Sequence, residues 1–211
     1  MIELLYTPST LSKLFILLTF IHALLRLKTK KRINKYLFYI LGISVIAELS
    51  NTYLKFNDLP YGTFATLSVV ISTILWLLIL HMIFIAKKMI IATIVVFSLF
   101  ALINILFMEG PLQFNYYTLI LGAFLYILFF VFESFNQLKR DNFYFFQSNK
   151  YILIISPILF FLGLSLLFFF KSYSLTSNNL MENVKLFTYF NIVVNVIFYS
   201  SLNYYILKEK R

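Results

Sequence analysis

The sequence predicts an all-α polytopic membrane protein of seven transmembrane helices, N-terminus outside and C-terminus inside. Three observations carry this. The 211 residues are 61% hydrophobic and 20% aromatic, with a mean hydropathy of +0.88; a soluble domain of this size has too small an interior for that much apolar surface. Apolar runs of spanning length recur seven times. The loops between them alternate in positive charge.

A span needs about 20 apolar residues. The first runs from Ser9 to Leu27, with Lys13 and Arg26 near its ends, where long side chains reach the head groups. The opening MIELLYTPST has no basic region and no small-residue cleavage site, so a retained helix is expected rather than a signal peptide. The second span runs from Lys35 to Leu54 and contains Glu48. Spans three to seven lie within 59–86, 89–108, 110–132, 151–170 and 186–207, none of which holds Asp, Glu, Lys or Arg. Pro157, after Ser156, interrupts the sixth. Between spans five and six, LKRDNFYFFQSNK mixes charge with Tyr144, Phe145 and Phe146, the pattern of a short interfacial helix. Between spans six and seven, KSYSLTSNNLMENVK is rich in Ser and Asn and is expected outside, capping a pocket. The seven spans form a single domain over residues 1–211, with little chain left for another.

Alternating the loops puts fourteen of the eighteen Lys and Arg inside and four outside, which sets the orientation. The net charge of +10 then reads as topology and contact with anionic lipid head groups, not nucleic-acid binding. Absence of cysteine removes disulfides, thiolate metal sites, a Cys nucleophile and palmitoylation. Heavy use of Ile, Lys, Asn, Phe and Tyr points to an AT-rich genome and so to a bacterial inner membrane.

Few polar residues enter the spans. Glu48 is the one acid well inside; a charge there costs a few kcal/mol on insertion scales, so it is expected to face the bundle interior. Ser44, Glu48 and Asn51 share one helix face by the i, i+4, i+7 rule. In span seven Thr188, Asn191, Asn195, Tyr199 and Asn203 form a drifting polar stripe. The bland reading makes these amides interhelical glue, worth about 1 kcal/mol each; the functional reading makes them the wall of a polar cavity. Glu48, Asn51, Asn104, Asn191, Asn195 and Tyr199 form the candidate ligand- or ion-binding group, all in the outer half. His22, His81 and Glu133 form a second, inner polar group. No HxxxH or HxxE spacing supports a metal there, and no metal or cofactor is expected.

Missing motifs argue against an enzyme. Span seven has no mid-helix lysine for a retinal Schiff base. The two aspartates, Asp58 and Asp141, lie in loops, against hydrolases and prenyl transferases that need paired aspartates. No catalytic constellation is identified.

The segments ISVIAELSNTYL around Glu48 and YFNIVVNVIFYSSLNYYIL around Asn191 and Asn195 resemble a loose group of bacterial seven-helix inner-membrane proteins, in which a glutamate in helix two and an Asn-rich helix seven recur. Some of these look like the membrane sensor halves of histidine kinases. The resemblance implies a sensor or receptor-like module binding a small or amphiphilic ligand. The alternatives are a small transporter or channel, as a homo-oligomer, coupled to protons or cations through Glu48, and an accessory protein regulating a neighbouring cytoplasmic partner.

Overall fold

The computed structural model describes residues 8–169, 179–181 and 184–209. Among them are helices α1 (Pro8–Arg26), α2 (Arg32–Phe56), α3 (Gly62–Ile83), α4 (Lys87–Ile103), α5 (Tyr116–Lys139), α6 (Phe143–Gln147), α7 (Asn149–Phe169) and α8 (Leu186–Glu209). A π-helical turn, Asn104–Met108, extends α4. Two short strands, β1 (Asn179–Met181) and β2 (Val184–Lys185), pair antiparallel just before α8. The Ser/Asn-rich segment expected to cap a pocket otherwise lies outside the described residues.

Among the described residues, five helices are long and apolar enough to cross a membrane: α2, α3, α4 with its π turn, α5, and α8 from Tyr189. The chain is therefore built as a membrane helix bundle. Helix α6 occupies the segment where a short helix was expected; Phe143 and Tyr144 are exposed, while Phe145 and Phe146 stack edge-on against Tyr151.

One boundary departs from expectation. The fifth span was expected over 110–132, yet α5 begins at Tyr116 and runs on to Lys139. Gly110 takes φ +83, a left-handed turn that ends the preceding helix, and Pro111 follows it. Asp58 and Asp141 also adopt left-handed backbone, just beyond α2 and α5; a short polar side chain tolerates that conformation at a helix end.

The helices close a ring. α1 packs on α2, α2 on α3, α3 on α5, α5 on α7, α7 on α8, and α8 back on α1. Helix α4 stands outside, against α3 and α5, with Val95, Val96, Leu99, Leu102 and Leu106 exposed. Fully buried Leu37, Leu41, Leu77, Leu80, Leu153, Ile154, Leu202 and Ile206 fill the ring at the end where α2 and α7 begin and α3 and α8 finish. Tyr126 donates to the carbonyl of Ile154 (2.8 Å), in the turn of α7 where Pro157 supplies no N–H.

Candidate functional site

Towards the other end the ring is hollow. A cavity of about 280 Å³ receives side chains from all six ring helices. Small residues of α3 (Ala65, Ser68, Ser72, Thr73) leave the space. One face of α2 contributes Ile40, Ser44, Ala47, Glu48 and Asn51; α8 contributes Asn191, Asn195, Phe198 and Tyr199. Five of the six residues of the candidate group therefore meet around one space.

Asn104 does not, and its assignment is corrected. It belongs to α4, outside the ring, and is fully buried there. Its Nδ2 donates to Glu109 Oε2 (2.6 Å) and to Thr118 Oγ1 (2.8 Å). Glu109 in turn accepts the backbone N–H groups of Tyr116 and Tyr117 (2.9 and 3.1 Å). Asn104 thus braces a carboxylate that caps the start of α5, where negative charge and free N–H groups match.

The polar chemistry of the cavity is uneven. Asn195 Nδ2 donates to the carbonyl and Oδ1 of Asn191 (2.8 and 3.0 Å), so these amide bonds stay within α8 and do not glue helices together. Asn51 Oδ1 and Ser12 Oγ are buried without a hydrogen-bond partner among the described residues. The Tyr199 hydroxyl lies beside Ser44 and Glu48. Aromatic rings close the remaining wall: Trp76 meets Phe198 edge-on at 6.2 Å, and Phe160 and Tyr199 each lie 4.9 Å from Phe198.

Lys13 overturns the expectation that it reaches the head groups. Its Nζ sits 3.6 Å from Glu48 Oε1 and donates to Thr52 Oγ1 (2.8 Å), joining α1 to α2. A smaller cleft of about 100 Å³ between these helices is lined by Lys13, Glu48, Leu17 and Leu49. Leu17 and Leu49 are exposed, so Glu48 stands between the central cavity and the outer surface of the bundle.

His22, His81 and Glu133 are not gathered into one group. His22 Nδ1 pairs with Asn203 Oδ1 (2.7 Å), and Asn203 Nδ2 donates to Thr19 Oγ1 (2.8 Å). Glu133, buried in α5, accepts from Gln137 (2.6 Å); His81, half-buried near the end of α3, joins neither. His22 is thus taken up by α8 and Glu133 by its own helix. No set of three His, Asp or Glu among the described residues is placed to hold a metal ion.

The basic end is tied by a separate network. Lys31 pairs with Glu209, Asn149 donates to Glu209 Oε2 (3.0 Å), and Tyr205 donates to Asn34 Oδ1 (2.6 Å). Asn34 Nδ2 donates to the carbonyl of Lys28 (3.0 Å). The first loop, α2, α7 and α8 are thereby joined.

Sequence reasoning missed the aromatic and small residues of the wall. In a chain that is 20% aromatic, nothing marks Trp76, Phe160 or Phe198 as facing a cavity rather than lipid. Comparison with family models, with curated proteins and with solved structures found no match.

Proposed function

We propose that the chain is a seven-span receptor-like module of a bacterial inner membrane, binding a small ligand in the cavity bounded by α2 and α8. The observation that carries this reading is the asymmetry of the ring. A polar cavity with unpartnered buried oxygens lies towards one end, and packed leucines and isoleucines with the Lys31–Glu209 network close the other. A concave site with a few converging polar groups in an apolar wall is the usual form of a ligand pocket. A transporter needs a polar path to both faces.

Helices α1 and α7, of 19 and 21 residues, are taken to cross beside the other five. Nineteen residues rise roughly 28 Å, close to the hydrocarbon thickness of about 30 Å. Lys31, Arg32 and Lys150 line one crevice with Glu209, so basic loops from distant parts of the chain share one end. That clustering supports a cytoplasmic end opposite the cavity, with anionic head groups as neighbours.

A second reading draws on Thr19, His22 and Asn203, one turn of α8 beyond Tyr199. With Glu48 they set titratable and hydrogen-bonding groups at two levels of the bundle, the beginnings of the track that proton coupling requires. Cysteine substitution separates the two readings, because the chain has no cysteine of its own. With a membrane-impermeant thiol reagent, Asn57→Cys and Ser72→Cys should react from outside only, and Lys30→Cys from inside only. Reaction of Ser72→Cys from both sides sinks the receptor reading; reversed labelling of Asn57→Cys and Lys30→Cys sinks the orientation.

A further inference from the structure

The cavity has a chemical bias that narrows its ligand. Glu48 is the one charged side chain lining it. Lys13 approaches Oε1 from α1, across the smaller cleft, at 3.6 Å, beyond the 2.7–2.9 Å typical of a charge-assisted hydrogen bond. Neither Glu48 oxygen accepts a hydrogen bond from a described residue. The carboxylate therefore has unused capacity towards the cavity.

Two further atoms ask for hydrogen bonds. Asn51 Oδ1 accepts only, and Ser12 Oγ accepts as well as donates; both are buried and have no hydrogen-bond partner among the described residues. A ligand that satisfies Glu48 and Asn51 together must bring at least two N–H or O–H donors on one atom or on neighbouring atoms. At Glu48 and Asn51 Oδ1 an anion would meet a carboxylate and an acceptor, and is disfavoured there. Opposite them, the rings of Trp76, Phe198 and Phe160 offer an apolar wall and negative π faces that favour a cation within about 6 Å of a ring centroid.

Resting on the ligand-binding reading above, we propose that the cavity takes a protonated primary amine with an apolar body. Its ammonium lies between Glu48 and Asn51, and its aryl or alkyl part lies against Trp76. A primary ammonium has three donors, which match Glu48, Asn51 and Ser12. A quaternary ammonium keeps the charge and has none. Lys13, on the neighbouring helix, pairs with the same carboxylate.

Trp76 is the only tryptophan in the chain and lines the cavity, so its fluorescence reports occupancy directly. The full chain in lipid nanodiscs is titrated with phenethylammonium, 2-phenylethanol, 3-phenylpropanoate and benzyltrimethylammonium. Phenethylammonium should give a saturable change. Glu48→Gln should weaken it about tenfold or more, the loss of roughly 1.4 kcal/mol expected for a charge-assisted contact, and Asn51→Ala should weaken it severalfold. The Glu48→Gln nanodisc also measures amine partitioned into lipid, and an unchanged emission maximum of Trp76 in that variant shows an intact wall. Equal binding of the alcohol, or tighter binding of the carboxylate or the quaternary amine, overturns the primary-amine assignment and leaves the receptor reading standing. No saturable response to any probe, with Trp76 unresponsive, overturns both.

Discussion

Asn104 and Asn195 carry the same side chain to different ends. Asn195 hydrogen-bonds its own helix and turns its remaining surface to a cavity; Asn104 sits outside the ring and holds Glu109 against the start of α5. Both positions are polar residues in apolar helices, and sequence depth alone cannot separate them, because the difference lies in which helix stands outside the ring. Asn104→Ala removes two side-chain bonds in a fully buried place and leaves Glu109 and Thr118 short of a donor. A loss of about 1–3 kcal/mol is expected, the cost of leaving buried polar groups unsatisfied, read as a lowered thermal midpoint in detergent. Because Asn104 does not line the cavity, the Trp76 response to phenethylammonium should keep its midpoint below the unfolding temperature. A shifted midpoint would return Asn104 to the site. Glu48 was legible for a different reason: a lone acid in an apolar run must face inward, whatever the order of packing.

At the scale of the helix, close approach at α7 and α8 depends on one missing methyl. A Cβ placed on Gly163 would lie 2.6 Å from Val194 Cγ2, too near without displacement. Small residues let membrane helices approach where no hydrophobic driving force separates helix from lipid. Gly163→Ala should therefore cost about 1–3 kcal/mol, as overpacking does. Pairing it with Val194→Ala should recover part of that loss. A single substitution that leaves the thermal midpoint unchanged would show that the two helices adjust freely. Val194 neighbours Asn195, so the same contact sets how far the α8 stripe reaches into the cavity. The helix boundaries themselves were readable from runs of uncharged residues, and the one large shift, at α5, came from Gly110 and Pro111 ending a segment whose hydropathy continued.

Across the whole molecule, the all-helical membrane character could be read from composition, while five rather than seven of the expected spans are long and apolar enough to cross among the described residues, and the ring could not be read at all. Nothing in the sequence says that α4 is excluded and that α3 meets α5; that follows from which faces carry Gly122, Thr73 and Phe97 close together. The Lys13–Glu48 pair was hidden for the same reason, since its members are thirty-five positions apart and look unrelated in the sequence. That pair has a consequence for how the chain is made. Each charge alone is expensive to hand to lipid, up to about 3 kcal/mol at the centre of a span. On the seven-span reading proposed above, the two face one another across α1 and α2 and enter the bilayer most cheaply as a neutral hairpin, so α1 gains its full membrane affinity only when α2 has been synthesised. Glu48→Gln should then lower the insertion of α1, and Lys13→Gln combined with it should restore insertion, as read by glycosylation tags on the emerging hairpin. Equal insertion in all variants would mean that the two helices enter independently. The residue best placed to meet a ligand in the finished protein would thus also serve, during synthesis, as the partner that lets α1 pass from the membrane insertion channel into lipid.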